Sequence, residues 1–212
     1  MGKNTSLIWE ILRKAVHLSG LLIVIGYTLL LNYFSAKIAV LVMTLVLLIL
    51  LHAEYIRLEH KPRLVGMLEG LFRKHEKDNI SGAVFMVISC IICFSAFDYW
   101  VAFLAMFMTV FGDMAAALVG RAWGKIKLLH SKTLEGTLAA LVTNSLVGWL
   151  ILPEFFGLVL IMAITATFVE FITNKLDDNL TVPLFAGFMG QLYVMFSKIE
   201  LPPIDFTFLG LF

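Results

Sequence analysis

The sequence predicts an all-α integral membrane protein with about seven transmembrane helices, and three observations support this. Of its 212 residues, 60% are hydrophobic, whereas soluble domains average about 45–50% apolar residues. The apolar residues form seven runs of roughly spanning length, since a helix needs about 20 residues to cross a bilayer. The positive charges also concentrate in alternate connecting segments, as the positive-inside rule expects of a polytopic chain.

The seven predicted spans follow one another closely and leave no room for a soluble domain. They run from Val16 to Tyr33, Ala36 to Ala53, Ile80 to Phe97, Tyr99 to Val119, Leu134 to Leu152, Phe155 to Thr173 and Val182 to Phe196. Two connections are very short, Asp98 alone and Pro153-Glu154, which predicts tight helical hairpins. We therefore treat residues 1–212 as a single polytopic membrane domain.

The orientation follows from the lysines and arginines. A cytoplasmic N-terminus places 14 of the 16 on inner segments and leaves only Lys37 and Lys198 outside. With seven spans the C-terminus then lies outside. Residues 54–79 form the longest polar segment on the cytoplasmic side. Their apolar residues recur at helical spacing between cations, which predicts an interfacial helix in the headgroup region.

The stretch 112–136 carries the strongest indication of chemistry. Asp113 lies in an apolar run. Placing a charged carboxylate in the membrane interior costs on the order of 3 kcal/mol or more, so such a residue usually has a function or an interaction partner. Four cations follow before a helix that is predicted to open at Thr133: Arg121, Lys125, Lys127 and Lys132. An intramembrane acid before a cationic loop with glycines favours a metal-phosphate site at the membrane surface. The cations alone are also typical of a cytoplasmic loop without such a site.

The same orientation brings other polar residues to the inner ends of several spans. They are Arg13, Lys14 and His17 in the first span, Glu54 and Arg57 in the second, and Glu170 in the sixth, followed by Asp177 and Asp178. Their spacing predicts that Glu170, Asn174 and Asp177 share one helical face at the inner end of the sixth span. A transporter more often places ionisable residues near the midplane along a through-path, so this single layer favours a site at the cytoplasmic surface.

These residues belong to motifs that resemble a known family, the CTP-dependent kinases of polyprenols and other lipid alcohols. That family includes dolichol kinase, phytol kinase and the CTP-using diacylglycerol kinase, and is distantly related to the phosphatidate cytidylyltransferases. The motifs are Arg13-Lys14-x-x-His17, Glu54-x-x-Arg57, Gly112-Asp113-x-x-Ala116, Gly120-Arg121-x-x-Gly124-Lys125, Lys132-Thr133-x-Glu135-Gly136, and Glu170 followed by Asp177-Asp178-Asn179-Leu180-Thr181-x-Pro183. The cytidylyltransferase hallmarks, a His-Gly-Gly and an Asp-Arg-x-x-Asp, do not occur in the sequence, which favours phosphoryl over nucleotidyl transfer.

The resemblance implies CTP-dependent phosphorylation of a polyprenol-, dolichol- or phytol-like alcohol at the cytoplasmic membrane face, with Mg²⁺ or another divalent cation. Phosphoryl transfer needs a metal, cations for the phosphates and a group that positions the hydroxyl. The expected catalytic residues are Asp113, Lys132, Glu170 and His17. The expected phosphate-binding residues are Arg121, Gly124, Lys125, Lys132, Thr133, Glu135 and Gly136. Asp113, Asp177 and Asp178 are the expected metal ligands, and Arg13, Lys14 and Arg57 the expected contacts to lipid headgroups.

Several alternatives stay open at this point. His17 also fits a polar core group, Glu135 also fits a carboxylate paired with a helix dipole, and Glu170 fits a base, a metal ligand or a partner of a cation. The chain also fits a cytidylyltransferase that makes a CDP-linked lipid, or a non-enzymatic lipid transporter or lipid-binding protein. We expect a multi-pass protein of the inner membrane in a prokaryote or of the endoplasmic reticulum in a eukaryote. No nucleic-acid partner is expected, and self-association into a homo-oligomer is left open.

Overall fold

The computed structural model describes residues 18, 20–60, 78–129, 132–174 and 176–204. These residues form seven helices, which we number in chain order. They are α1 (Gly20–Tyr33), α2 (Ala36–His60), α3 (Gly82–Ala96), α4 (Tyr99–Trp123), α5 (Leu134–Ile151), α6 (Phe156–Ile172) and α7 (Asp178–Ser197). Each helix covers most of one predicted apolar run, so the all-α prediction is confirmed.

Four of the seven helices are long and apolar enough to cross a membrane: α2, α4, α5 and α7. The other three are apolar but shorter, with 14 residues in α1, 15 in α3 and 17 in α6. These helices indicate that the chain is a membrane protein. The number of spans, seven, and the orientation of the chain remain predictions. Of the interfacial segment, residues 54–60 complete α2, and residues 61–77 lie outside the described residues.

The predicted orientation can be tested by labelling single cysteines from each side of the membrane. Lys127 and Lys37 are both exposed, and Cys90 and Cys93 are buried and can be replaced beforehand. We expect Lys127→Cys to react with an impermeant maleimide only from the cytoplasmic side, and Lys37→Cys only from the outside. The reverse pattern would place the α4–α5 connection outside and would contradict a cytoplasmic site.

The helix α4 lies at the centre of the bundle. It contributes Leu104 and Met108 to one apolar core, shared with α6 and α7. It contributes Met106 and Val110 to a second core, shared with α1, α2 and α3. Packing on two sides buries the middle of α4 as far as Gly112, and Asp113 is the next residue of the helix, half-buried at the edge of this packed region.

Small residues bring α4 and α5 into close antiparallel contact. A Cβ atom on Gly136 would lie 2.7 Å from the carbonyl oxygen of Ala116, and one on Gly112 would lie 2.6 Å from Asn144 Oδ1. Further along, a Cβ on Gly148 would lie 2.8 Å from Met108 Cε. The contacts recur every four residues on α4 and at multiples of four residues on α5, as expected when small residues let helix backbones approach in a membrane.

We expect Gly136→Ala to destabilise the bundle, because its methyl group would meet a backbone oxygen of α4 that cannot rotate away. Overpacking of this kind costs about 1–3 kcal/mol, so the midpoint of thermal unfolding in detergent should fall by several degrees. Gly26→Ala is the matched control, since its Cβ would meet only Met43 Cε, at 3.8 Å. An equal midpoint for both variants would contradict the tight α4–α5 contact.

The sixth and seventh helices end and begin differently from the prediction. The helix α6 ends at Ile172, with Thr173 already extended (φ −72°, ψ 128°), so Glu170, Asn174 and Asp177 do not share a continuous helical face and that prediction was wrong. The helix α7 begins at Asp178 instead of Val182. The physical reason is that Asp177 caps α7, as its Oδ1 accepts a hydrogen bond from the main-chain N–H of Asn179 at 2.9 Å.

Candidate functional site at the ends of helices 4 to 7

The connection between α4 and α5 is a short hairpin-like turn held by main-chain hydrogen bonds. Lys127 and Thr133 form an isolated antiparallel bridge. The N–H of Leu134 donates to the carbonyl of Ile126 at 2.9 Å, and the N–H of Leu128 donates to that of Lys132 at 2.7 Å. The described residues of the connection, 124–129 and 132–133, are therefore held in place by main-chain hydrogen bonds. Arg121 before the connection and Lys125 and Lys127 within it are exposed.

Thr133 lies at the centre of three glycines, of which Gly124 and Gly136 are predicted to bind phosphate. It caps α5, because its Oγ1 accepts from the N–H of Gly136 at 3.2 Å. A Cβ atom on either Gly120 or Gly124 would lie 2.8 Å from that same Oγ1. The predicted start of α5 at Thr133 is confirmed, and the glycines give the Thr133 side chain the room it needs. A role in nucleotide binding stays a prediction for these residues.

The Glu135 carboxylate closes the same turn. Both of its oxygens accept from the main-chain N–H of Ile126 at 3.3 Å. Glu135 is also in the first turn of α5, where a negative charge interacts favourably with the helix dipole. The geometry therefore gives Glu135 a structural role in shaping the connection, alongside its predicted place near phosphate.

Lys132 joins the α4–α5 connection to the end of α6. Its Nζ donates a hydrogen bond to the main-chain carbonyl of Glu170, which lies in the last turn of a helix that ends at Ile172. The last four carbonyls of a helix have no partner within it, and a lysine side chain can bind them. Two predicted catalytic residues, 38 positions apart in the chain, are thus in direct contact.

Asp113 lies next to a polar contact that links α4, α5 and α6. The residue before it, Gly112, packs directly on the Asn144 side chain, which is 1% exposed. Asn144 Nδ2 in turn donates to Thr167 Oγ1 at 3.2 Å. Thr167 and Glu170 are three residues apart on α6 and therefore lie on one face of it. This contact holds the helix that carries Asp113 against the helix that carries Glu170.

The start of α7 holds the two remaining predicted metal ligands. Asp177 Oδ1 accepts from the main-chain N–H of Asn179 at 2.9 Å and from its side-chain Nδ2 at 2.8 Å. Asp178 Oδ1 accepts from the same main-chain N–H at 3.1 Å. The hydroxyl groups of Thr173 and Thr181 lie 3.3 Å apart and tie the end of α6 to the start of α7.

Arg57, a predicted contact to lipid headgroups, is 8% exposed. Its Nη2 lies 2.5 Å from Glu54 Oε2 and donates to the main-chain carbonyl of Asn79 at 2.6 Å. Glu54 Oε2 also accepts from the main-chain N–H of Ser81 at 3.2 Å. These contacts clamp the end of α2 to the start of α3, so Arg57 has a structural role. Headgroup binding by Arg57 remains a prediction.

The predicted metal ligands do not form a preassembled cluster. Among the residues described, no group of three or more His, Cys, Asp or Glu side chains is placed to hold a metal ion. The predicted residues Arg13, Lys14 and His17 lie outside the described ranges. A cation at this site would therefore depend on few carboxylates and on other oxygens, which is the usual pattern for Mg²⁺ that is shared with substrate phosphates.

Sequence reasoning missed Asn144 and Thr167. The signal was present, because Gly136, Ala140, Asn144 and Gly148 recur at intervals of four residues, which marks one helix face. A side-chain amide on a face of small, buried residues needs a hydrogen-bond partner, because burying an unpaired polar group is unfavourable. The same reason drew attention to Asp113. Asn179 was quoted within a motif but not assigned to the site, and its burial to 3% exposure could not be predicted from the sequence.

Comparisons with known proteins point to membrane lipid kinases. The chain is 33% identical over 121 residues to an uncharacterized protein of Methanocaldococcus jannaschii, covering 55% of this chain and 61% of that protein. It is 29% identical over 87 residues to CTP-dependent diacylglycerol kinase 1 of Saccharomyces cerevisiae, covering 40% of this chain and 30% of the enzyme. It is 29% identical over 136 residues to the protein of that name in Schizosaccharomyces pombe, covering 55% and 62%.

These similarities are distant and partial. The chain aligns with less than two thirds of the length of each of these relatives. No protein-family model matches the chain, and no solved structure gives a significant match. The comparisons support the CTP-dependent lipid kinase part of the predicted resemblance. The predicted relation to dolichol kinase, phytol kinase and the cytidylyltransferases stays a prediction.

Proposed function

We propose that this protein transfers the γ-phosphate of CTP to the hydroxyl group of a membrane lipid alcohol at the cytoplasmic face. The observation that carries the proposal is the contact between Lys132 and the main-chain carbonyl of Glu170. It brings a cationic connection, which a soluble nucleotide can reach, onto the buried end of α6, which faces the layer of Asp113. The distant similarity to CTP-dependent diacylglycerol kinases supports the same reaction class.

The nucleotide part of the site is the α4–α5 connection. Arg121, Lys125 and Lys127 are exposed and can approach phosphate oxygens, while Lys132 stands closer to the acids. Cations placed where negative charge develops in the transition state lower the barrier to phosphoryl transfer. The defined path of the connection, held by Thr133 and Glu135, keeps these cations on one side of the bundle.

The residues present fit a divalent cation. Asp113, Asp177 and Asp178 supply carboxylates, and Mg²⁺ typically takes one or two carboxylates together with phosphates and waters. When bound, the ion would neutralise charge on the β- and γ-phosphates. Because no three acidic side chains gather among the described residues, we propose that the nucleotide completes the coordination.

The acceptor is a lipid whose tail stays in the bilayer while its hydroxyl reaches the level of Asp113 and Glu170. The hydroxyl oxygen forms a bond to the γ-phosphorus, the bond from that phosphorus to the β-phosphate oxygen breaks, and CDP leaves. The hydroxyl proton passes to a base, for which Glu170 and His17 are the candidates. Diacylglycerol joins the predicted polyprenols, dolichols and phytol-like alcohols as an acceptor to test, because it appears in the names of the relatives.

The proposal is tested by a panel of lipid alcohols and nucleotides with the purified chain in mixed micelles. We expect transfer of the γ-label to at least one of diacylglycerol, a polyprenol, dolichol or phytol, with CTP preferred over the other three nucleoside triphosphates. Transfer from ATP alone would contradict the predicted donor. Nucleotide-independent lipid binding without any transfer would favour the transporter or lipid-binding reading.

A further inference from the structure

We propose that Asn179 supplies a neutral oxygen ligand to a divalent cation at the start of α7, an inference that rests on the proposed phosphoryl transfer. Asn179 is 3% exposed. Its side-chain Oδ1 is buried and has no hydrogen-bond donor among the described residues. A buried amide oxygen without a donor is unfavourable, so this oxygen calls for a ligand that donates or carries positive charge.

The orientation of the Asn179 side chain is set by its neighbour. Its Nδ2 donates to Asp177 Oδ1 at 2.8 Å. Rotating the amide by half a turn would place Oδ1 against that carboxylate oxygen, and two acceptors would face each other. The unpartnered atom is therefore the oxygen, and it is held on the turn of chain that carries Asp177 and Asp178.

The main chain adds a second oxygen at the same residue. In a regular helix the carbonyl of Asn179 would accept from the N–H four residues later, but that residue is Pro183, which lies inside α7. Proline has no N–H to donate. The main-chain carbonyl of Asn179 thus lacks the donor that it would have in a regular helix, next to a side-chain oxygen that has no donor among the described residues. Main-chain carbonyls without a helical donor coordinate cations in membrane proteins whose helices are unwound, and the carbonyl of Asn179 is available in the same way.

The donors near this turn are already engaged. The N–H groups of Leu180 and Thr181, and the Thr181 hydroxyl, all donate to the main-chain carbonyl of Asp177, at 3.1 to 3.2 Å. The N–H of Asn179 donates to Asp177 and Asp178. Since these amides are occupied, the turn offers little to an anion. The two carboxylates offset the positive end of the α7 dipole, and carboxylate and amide oxygens are the ligands that Mg²⁺ and Mn²⁺ take.

Asn144 provides a matched contrast. Its Oδ1 is likewise buried without a conventional donor among the described residues, but it lies directly against the α-carbon of Gly112. A Cα–H group at a close helix contact is a weak donor, and no acidic residue adjoins Asn144 in the sequence. Asn144 is therefore a helix-packing amide, whereas Asn179 belongs to an acidic turn.

The test measures Mn²⁺ binding by electron paramagnetic resonance on the full chain in detergent, without nucleotide or lipid. We expect Asn179→Leu to weaken Mn²⁺ affinity at least about tenfold, the scale on which disturbed metal sites lose affinity. Asn179→Asp keeps an oxygen and should retain affinity within a few-fold of the original or exceed it. Ser89→Ala removes a fully buried hydroxyl on α3, outside the proposed site, and should leave affinity unchanged.

A second readout locates the ion without using catalysis. Fe²⁺ bound in place of Mn²⁺ is oxidised by added hydrogen peroxide, which splits into hydroxide and a hydroxyl radical, and ascorbate reduces the Fe³⁺ again. The radicals cut the nearby backbone, and we expect cleavage around residues 177–181 that Asn179→Leu abolishes. Equal Mn²⁺ affinity in Asn179→Leu and the original protein, or no binding up to millimolar Mn²⁺, would overturn the inference. If binding depends on Asn179 but no lipid is phosphorylated, the cation site stands and the proposed function fails.

Discussion

Asp113→Asn is expected to lower the rate of lipid phosphorylation by at least about 100-fold, as when a main electrostatic element of an active site is lost. The substitution removes one negative charge with almost no change in volume. Asp113 lies on the central helix α4, beside the Gly112–Asn144 contact, so the surrounding packing should survive. The measurement is the initial rate of γ-phosphate transfer to lipid at saturating Mg²⁺, with thermal unfolding as the check on folding.

Asp98→Asn is the matched control for this change. Asp98 occupies the N-cap position at the other end of α4 without a capping hydrogen bond from its side chain, about 22 Å away along a regular helix at 1.5 Å per residue. It accepts from Gln191 Nε2 at 2.9 Å, an exposed contact whose loss should leave turnover within about twofold. Near-normal turnover of Asp113→Asn, or an equal loss in both variants, would show that Asp113 is a structural residue.

Lys132→Met is expected to lower kcat/KM for CTP by about 10–100-fold, since a cation that faces developing charge acts in the transition state. It keeps the aliphatic stem and removes the ammonium that binds the Glu170 carbonyl. Because this ammonium also caps α6, the variant should unfold at a lower temperature as well. Titrations of CTP at fixed lipid, and of lipid at fixed CTP, separate the effects, and the lipid dependence should stay nearly unchanged.

Two further variants distinguish a phosphate contact from a helix cap. Lys132→Arg retains the charge and should recover part of the CTP dependence, although its planar group is not equivalent to an ammonium. Lys37→Met removes an exposed lysine at the start of α2 and should change neither activity nor stability. A lower unfolding temperature of Lys132→Met with unchanged kcat/KM for CTP would show that Lys132 only caps α6 and does not contact phosphate. If Lys132→Met changed only the lipid titration, the α4–α5 connection would control access of the lipid instead of binding the nucleotide.

The fold class was predictable because membrane-spanning helices are recognisable in a sequence as long apolar runs. The start of α5 was predictable for a local reason, since Thr133 is a residue that caps helices and its contact to Gly136 spans only three residues. Such features depend on neighbours in the sequence, which single-sequence reasoning captures.

The errors and omissions come from contacts between distant segments. The sixth helix was extended to Asp177 because the polar residues matched helical spacing, but Asp177 caps the next helix instead. The tie between Lys132 and Glu170 and the link from Asn144 to Thr167 join different helices. No periodicity in one segment can reveal such partners, because they are set by how the helices pack.

A doubly labelled nucleotide separates phosphoryl transfer from nucleotidyl transfer in one experiment. CTP carrying radioactive phosphorus at the γ-position and tritium on the cytosine ring is incubated with the purified chain, Mg²⁺ and diacylglycerol or polyprenol. Phosphoryl transfer from CTP to the lipid alcohol should give a lipid product that contains the γ-phosphorus and no tritium, together with CDP in equal amount. Tritium in the lipid without the γ-phosphorus would show nucleotidyl transfer and would rule out the proposed kinase reaction.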